Sequence, residues 1–292
     1  MIRMNKLPAS TFNHLHMNES VVDHDAGEPV IYEISEDKRL DIDEGGDKKV
    51  NIAVPAGQSI NVVMSYGAGS TQNVETYATL GKGSTLKLIQ TRISAGEGKL
   101  LGRLCARLDE SSRLEVIQIY LPGGEIYSDL TADLIGDESS VDISCAYFAG
   151  EDAHIDMNYV VNHTGKRGVS NISVNGALNE NAFKLFKGTI DFRTGSSGSK
   201  GDEREKVILL DENVINQSLP VILCTEEDVE GAHGAAIGSI DEDVLFYMQS
   251  RGISPEDARK LVIYGMFDSL LAKADDTIIS EKVQQCLQQV RL

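Results

Sequence analysis

Four stretches in the middle of the chain share one pattern, and this pattern decides the fold: GKGSTLKLI (81–89), DESSRLEVI (109–117), GDESSVDIS (136–144) and GKRGVSNISV (165–174). Each begins with a cluster of small, turn-forming residues and continues as a run in which apolar residues alternate with polar ones. Alternation with a period of two predicts a strand with one buried face, and the preceding cluster supplies the turn. The four stretches therefore predict four strands of the same kind.

The spacing of these strands is nearly constant along the chain. The first apolar residues of the four runs, at steps of 28, 27 and 28, are Leu86, Leu114, Val141 and Val169. Further runs between them begin at Leu100, Ile155 and Phe183, so that two strands fall in each step. A period kept over this length predicts repeating β structure, because each unit must stack on its neighbours to bury its apolar face. A β-sandwich has similar turn spacing, but the regular period favours a mainly β fold with a β-helix, or β-solenoid, core.

The two ends of the chain lack this period, and they divide the sequence into three predicted regions. Residues 1–48 are expected to form an N-terminal cap segment, 49–224 the β-helix core and 225–292 a C-terminal α-helical domain. Within the first region, residues 1–20 are expected to form a short helix or cap. IDEGGDKK (42–49) is rich in turn-forming residues and predicts a turn.

Three helices are predicted in the C-terminal region. In the first, over 241–252, Val244, Leu245 and Met248 recur at helical spacing. SPED (254–257) then supplies an N-cap serine, a proline at the first helical position and acidic residues in the first turn. The apolar face of the second helix is predicted to contain Ala258, Leu261, Val262, Met266 and Leu270. The face of the third, over 277–290, is predicted to contain Ile278, Ile279, Val283, Leu287 and Val290. We expect this module to cap the open end of the solenoid, where strand edges are otherwise unpaired.

Composition argues against several classes of function. A formal net charge of −18, from 27 basic and 45 acidic side chains, repels phosphates, so no nucleic acid partner is expected. No apolar run reaches the roughly 18 residues that predict a membrane span, and the N-terminus lacks the apolar core of a secretory signal. The four cysteines form no CxxC pair, which is typical of reduced thiols. We therefore expect a cytoplasmic protein that does not bind a membrane.

One stretch is similar to a phosphate-binding loop but does not meet the pattern. In GSSGSK (195–200), Gly198 is followed by Ser199 where the pattern requires a lysine. Together with GDEREK (201–206), this stretch is interpreted as a flexible polar loop. We therefore expect that the chain binds no nucleotide itself. We also expect that it is not an enzyme.

Several segments together resemble one known family. GAHGAAIGSIDEDVLFYMQSRGISPEDARKLVIYGM (231–266) has a His-Gly pair, a Gly/Ala-rich turn, an amphipathic helix, an Arg-Gly hinge and a second, capped helix. It is preceded by VVNHTGKRGVSNISVNGALNENAFKLFKGTIDF (160–192) and EKVILLDENVINQSLPVIL (205–223), and LPASTFNHL (7–15) stands near the N-terminus. This set resembles the SufB/SufD family, the scaffold subunits of the Suf iron–sulfur cluster assembly machinery. Residues 160–292 carry most of the resemblance.

The resemblance implies a fold and two kinds of partner. The fold would be a right-handed parallel β-helix that pairs with a second subunit, either another copy or a SufB-type or SufD-type paralogue. The C-terminal helices would dock the ABC-type ATPase SufC. By this resemblance, helices 241–272 are the docking candidates, and the partner-binding residues would be Tyr247, Arg251, Gly252 and Arg259.

The resemblance also implies a site where a transient iron–sulfur cluster is assembled. His233 matches the histidine of the family's His-Gly signature, and a neutral imidazole can ligate iron. A cysteine that many SufD-type members carry two residues earlier is Gly231 here, and the SufB-type cysteine position falls near Glu205. Clusters prefer thiolate ligands, so we expect the nearest remaining thiol, Cys224, to be the sulfur donor. Glu226 and Glu227 are expected to add oxygen ligands.

Two alternatives remain open from the sequence. The missing cysteines favour a purely structural SufD-like partner that has no cluster site. A β-helix enzyme that acts on polysaccharides is the other alternative, since such enzymes use carboxylates on an exposed sheet face. The absence of tryptophan for sugar stacking and of a secretion signal disfavours that enzyme.

Overall fold

Strands dominate the chain. The computed structural model describes residues 1–9, 17–93, 96, 98–121 and 123–290, and these form eighteen strands and three helices. The strands are β1 (Ile2–Met4), β2 (Ser20–Val22), β3 (Val30–Ile34), β4 (Lys38–Ile42), β5 (Gly46–Val54), β6 (Ser59–Tyr66), β7 (Gln72–Leu80), β8 (Thr85–Ile93), β9 (Lys99–Leu108), β10 (Arg113–Leu121), β11 (Glu125–Leu134), β12 (Ser140–Ala149), β13 (His154–His163), β14 (Val169–Leu178), β15 (Phe183–Phe192), β16 (Ser199–Leu209), β17 (Ile215–Cys224) and β18 (Val229–Gly238). The helices are α1 (Glu242–Ser250), α2 (Pro255–Ala274) and α3 (Thr277–Gln289).

The strands from β3 to β18 form two parallel sheets of eight. One, which we call the odd sheet, has the order β17-β15-β13-β11-β9-β7-β5-β3. The other, the even sheet, has the order β18-β16-β14-β12-β10-β8-β6-β4. Consecutive strands alternate between the sheets, so each turn of the chain adds one strand to each. This arrangement is a β-solenoid, and it confirms the predicted mainly β fold with a parallel β-helix core and C-terminal helices.

The inward faces of the two sheets enclose an apolar core, which we call the lumen. Alternate residues of each strand point into it, such as Leu114 and Val116 of β10 and Leu130 of β11, and these three are fully buried. Equivalent residues of successive turns lie in register, about 4.8 Å apart along the axis. Each turn therefore buries its apolar face against the turns before and after it.

The predicted alignment of the repeats is wrong at one step. The first two steps agree with the prediction, but Val141 pairs with Ser170 and not with Val169. Val169 remains 39% exposed at the start of β14. The reason is the period of two: Ile172 and Val174 fill the inward positions of β14, so that Val169 points outward.

One corner of the solenoid contains a residue in the left-handed conformation in each turn. These residues, all with positive φ, are Gly57, Gly83, Ser111, Glu138, Arg167 and Gly198. Each donates its backbone N–H to a carbonyl of the next turn, as in the 2.8 Å bond from Gly83 N to Glu110 O. The clusters of Gly, Ser, Asp and Glu in the sequence therefore mark a turn that is stacked along the axis.

The observed sheets extend beyond both predicted borders of the core. At one end, β3 and β4 pair in parallel with β5 and β6, so the sheets begin at Val30 and not near residue 49. At the other end, β18 pairs in parallel with β16, so residues 229–238 belong to the solenoid and not to the helices. The first strands are only five residues long, and β18 consists mainly of Gly and Ala. β3 and β4 are therefore too short to show the alternation on which the prediction relied, and β18 lacks it.

The N-terminal segment lies on the outer face of the odd sheet. β1 and β2 pair with each other in the antiparallel direction, and Met4 packs against Leu101 and Tyr127. The predicted helix or cap over residues 1–20 is therefore a strand pair where it is described, and its residues 10–16 lie outside the described part. The turn predicted at 42–49 is confined to 43–45, because β5 begins directly afterwards.

The helices cover the outer face of the even sheet and not the open end of the solenoid. Phe267 of α2 and Val283 of α3 lie in one buried cluster with Ile117 and Phe148, which point outward from the even sheet. The predicted capping role is therefore wrong: the outward faces of β8, β10 and β12 are themselves apolar and need this cover. Among the described residues, no helix is both long and apolar enough to cross a membrane.

The buried faces of the helices differ in part from the predicted ones. In α2 the buried residues are Ala258, Ile263, Phe267, Leu270 and Ala274, whereas Leu261 is exposed. In α3 the buried residues are Ile279, Val283 and Leu287, whereas Ile278 is exposed. Apolar residues occur on several sides of α2, so spacing alone does not identify the side that meets the sheet. The predicted start of α2 is confirmed, because Ser254 Oγ accepts a 3.1 Å hydrogen bond from Asp257 N.

Candidate functional site

The last turn of the solenoid has no further turn stacked on it in the described chain. β17 and β18 are the outermost strands of their sheets, and neither pairs with a strand on its other side. Apart from Val229, every residue of β18 is exposed, although the equivalent residues of β16 include several that are buried. We call this surface, formed by β17, β18 and the lumen residues below them, the open end. The predicted metal ligands His233, Cys224 and Glu226 lie at this end of the solenoid.

His233 lies near the middle of β18 at the open end. Its register partner on β16 is Glu203, which points into the lumen. Since register partners of parallel strands face the same side of a sheet, His233 also faces the lumen side. Its exposure follows from the absence of a further strand above it. The imidazole is therefore open to solvent or to a second subunit.

Cys224 and Glu226 lie at the end of β17, on the odd sheet. Cys224 pairs in register with the buried Phe192, so its thiol also faces the lumen side, and it lies 3.0 Å from Glu226 O. The Glu226 carboxylate accepts a 2.8 Å hydrogen bond from Gly195 N and thus already fixes the loop beside it. His233 lies on the even sheet. In the described residues, no three His, Cys, Asp or Glu side chains come together as a metal site.

A charged cluster inside the lumen is the feature that sequence reasoning missed. Lys184 of β15 is fully buried, and its ammonium pairs with Glu205 of β16. The same nitrogen donates to Asn216 Oδ1 at 3.0 Å, to Gln217 O at 3.2 Å and to Ser218 Oγ at 3.1 Å. Lys184 thereby connects β16 with β17 from the inside and holds the last turn in place.

Glu203 is the second carboxyl of this cluster, and it has no such partner. It is 4% exposed, and no hydrogen bond to its carboxylate is found within the described chain. Burial and, to a smaller extent, the neighbouring Glu205 raise the pKa of Glu203, Lys184 opposes them, and the resulting pKa is about 8. Gly188 makes room for this side chain, because a Cβ at that position would lie 2.2 Å from Glu203 Oε2.

The cluster also corrects the interpretation of residues 195–206 as a flexible loop. From Ser199 onward this stretch is β16, and its charged residues alternate between the two faces. Arg204 points outward and pairs with Asp202, whereas Glu203 and Glu205 point inward. The alternation was present in the sequence, but it was hidden because acidic residues take inward positions that usually carry apolar side chains.

The residues predicted to bind a partner lie on an exposed surface around α1. No residue of α1 is buried, and Phe246 and Tyr247 are 73% and 60% exposed. The Arg251 guanidinium lies over the Tyr247 ring, 5.3 Å from its centroid. Gly252 ends the helix with a φ of 88°, and Arg259 is exposed on α2. Phe246 was not predicted, since its neighbours in DEDVLFYM give α1 apolar residues on several sides.

Comparison with known proteins relates this architecture to one family. The sequence model described as "SUF system FeS cluster assembly, SufBD core domain" matches residues 41–266, which include the open end and α1. The iron–sulfur cluster assembly protein SufD of Bacillus subtilis is 28% identical over 173 residues, which are 59% of this chain and 40% of that protein. An iron–sulfur cluster assembly SufBD family protein of Mycobacterium bovis is 25% identical over 191 residues, which are 63% of this chain and 48% of that protein.

The extent of these matches defines what they show. The chain spans less than half the length of these two relatives. The part of this chain that matches the family model contains most of the solenoid, α1 and the first half of α2. The match covers more than half of the present chain and agrees with the observed solenoid. The chain is therefore a member of the SufBD family of iron–sulfur cluster assembly proteins.

Proposed function

We propose that the chain is a scaffold subunit of a Suf-type iron–sulfur cluster assembly complex. In this role it pairs with a second subunit through the open end, binds a SufC-type ATPase through its C-terminal helices and holds a transient cluster as cargo. The observation that carries the proposal is the family match over 41–266, which spans both of these surfaces. Catalysis by this chain is not part of the proposed role.

Pairing at the open end is supported by the state of the last strands. β17 and β18 each present an edge of about ten residues with unpaired backbone groups, which favours association with another strand or chain. The exposed apolar residues Ile215, Ile222 and Ile237 lie on the same two strands. A partner at this end would cover apolar surface and backbone groups together, which is typical of a subunit interface.

A shared cluster site is supported by the incomplete ligand set of one chain. His233 and Cys224 both face the open end, yet they lie on different sheets and form no three-residue group with another ligand in the described part. A cluster needs further donors. In the proposed complex the second subunit supplies them, and Glu226 remains a candidate oxygen ligand at the rim.

Docking of the ATPase is supported by the exposed aromatic residues of α1. A helix with no buried residue and with Phe246 and Tyr247 largely exposed is an unusual surface for a folded protein. Aromatic side chains and arginines are the residue types that contribute most to protein interfaces. The stacked pair of Arg251 on Tyr247 and the exposed Arg259 belong to this surface.

The docking surface is tested by binding of a cognate SufC-type ATPase to purified chain. The double variant Phe246→Ala/Tyr247→Ala is expected to weaken binding at least about tenfold, since both side chains would be anchors. Thermal unfolding should remain unchanged, because neither side chain contributes to the core. Ile278→Ala is the matched control, as this residue is also exposed and apolar but lies on α3. Equal binding by all three proteins would reject α1 as the docking site.

A second candidate function is a structural SufD-like partner that holds no cluster. It is favoured by the absence of a three-residue ligand group in the described chain. It is also favoured by the resemblance to the family, which implies cysteines at Gly231 and near Glu205, where this chain has none. Anaerobic reconstitution with iron and sulfide separates the two roles. The structural partner would form the complex with the ATPase and yet bind no iron.

A further inference from the structure

The lumen at the open end contains more carboxyl groups than basic groups, and this excess indicates the kind of partner that fits there. Two buried carboxyls, Glu203 and Glu205, face a single buried ammonium, Lys184. The Lys184 ammonium already forms its contacts with Glu205, Asn216 and Ser218. Glu203 is left without a cation of its own in a site that is almost closed to water.

No other basic group of the described chain reaches this carboxyl. The nearest basic residues in sequence, Lys200, Arg204 and Lys206, all point outward, and the first two pair with Glu230 and Asp202. His233 is the register partner of Glu203, but the two form no ion pair within 4.0 Å in the described structure. In its ionised form, the Glu203 carboxylate therefore has no cation of the described chain to itself.

A subunit that covers the open end increases the free-energy cost of ionised Glu203, unless this subunit brings a positive charge. A buried carboxylate without a partner is strongly unfavourable, and Glu203 is only 4% exposed even before a partner covers it. A second copy related by a twofold axis would contribute the same surface. One closed lumen would then contain four carboxyls and only two ammonium groups.

We propose that the open end selects a partner chain that places a lysine or arginine over Glu203, and that this residue disfavours pairing between two identical copies. The inference rests on the proposed function, in which a second subunit covers the open end. It adds that the charge of Glu203 favours a heterodimer over a homodimer. A guanidinium or ammonium from the partner would complete the cluster as two carboxylates and two cations.

The test uses this chain alone and measures the affinity between variants. Wild type and Glu203→Lys are mixed, and association is measured by sedimentation at about pH 8.5, above the pKa of about 8 for Glu203. A mixed pair joins one negative and one positive open end. It is expected to associate at least about tenfold more tightly than either self-pair. The matched control Glu230→Lys has the same charge change on the outer face of β18 and should show no such preference.

Two results would overturn the inference. One is a mixed pair that is no tighter than the self-pairs, and the other is the absence of association in every combination. If Glu203→Lys does not fold, Glu203→Gln replaces it, and its self-association should be at least about fivefold tighter than that of wild type at the same pH. Equal self-association of Glu203→Gln and wild type would also overturn the inference. Binding of the ATPase at α1 is measured separately, so the failure of this inference and the failure of the proposed function are distinguishable.

Discussion

Replacement of Lys184 by methionine tests whether the lumen cluster holds the last turn of the solenoid. Lys184→Met keeps most of the side-chain volume but removes the ammonium that joins Glu205 of β16 to Asn216 and Ser218 of β17. Removal of one partner from a buried ion pair typically destabilises a protein by about 3–5 kcal/mol, because the other charge stays buried and unpaired. Glu205 loses its ion-pair partner here and Glu203 loses the nearest positive charge, so we expect a loss in this range above pH 8 and a smaller loss at pH 6. At the lower pH, proton binding to Glu203 relieves part of the penalty.

Urea unfolding of wild type and three variants measures this effect. Lys184→Met should unfold at a clearly lower urea concentration than wild type, whereas Lys184→Met/Glu205→Leu should recover most of the loss, since an apolar pair replaces the charged one. Lys200→Met is the matched control, because its ion pair with Glu230 is exposed and contributes little. The reasoning would be refuted if Lys184→Met were as stable as Lys200→Met.

Three further predictions concern pH and packing. Burial raises the pKa of Glu203 from 4.5 to about 8, so the native state binds this proton more tightly than the unfolded state does. The free energy of unfolding should therefore decrease as the pH rises from about 4.5 to 8. Glu203→Gln should remove this decrease when unfolding is measured across that pH range. Burial lowers the pKa of His163 from 6.5 to about 4, so on acidification the unfolded state binds a proton before the native state does. The free energy of unfolding should therefore decrease as the pH falls from 6.5 towards 4. His163→Gln should make this decrease smaller. Gly136→Ala should lower the free energy of unfolding by about 1–3 kcal/mol or more, since its Cβ would lie 1.9 Å from Glu110 N, whereas Gly102→Ala, with 3.8 Å to its nearest neighbour, should be tolerated.

The repeating part of the fold could be predicted from the sequence for a physical reason. In the runs that begin at Leu86 and Leu114, one face is apolar, the other is polar and a turn cluster precedes the strand. Stacking of equivalent turns then follows, since each apolar face needs a neighbour. The Val169 misalignment shows the limit of this approach, because the first apolar residue of a run is not always the first inward one.

The ends of the solenoid could not be predicted in this way. β18 has no apolar alternation, because no further turn packs on it in the described part of the chain and its Gly and Ala residues remain exposed. In β15, Lys184 and Phe186 point inward, while Leu185 and Lys187 point outward and are nevertheless buried. Since the N-terminal segment covers part of the outer face of the odd sheet, both faces of β15 are buried and the sequence shows no clear period.

The candidate site was predictable only as single residues. His233 was identified from its match to a family signature, and the structure places it at the open end beside the lumen. The cluster of Lys184, Glu203 and Glu205 was not identified, because its members lie on strands of different sheets whose inward side chains meet in the lumen only after folding. The proposed ligands Cys224 and Glu226 remain a prediction.

The central claim is that this chain assembles an iron–sulfur cluster as part of a complex, and anaerobic reconstitution of that complex tests it most directly. The chain is purified together with a cognate SufC-type ATPase, and bound iron and sulfide are measured for wild type, His233→Ala and the control His154→Ala, a histidine on the outer face of the odd sheet. The account predicts that all three form the complex, and that only His233→Ala loses iron, sulfide and the visible absorption of the cluster. Failure of the wild-type chain to bind the ATPase, or equal iron and sulfide in His233→Ala and wild type, would contradict it.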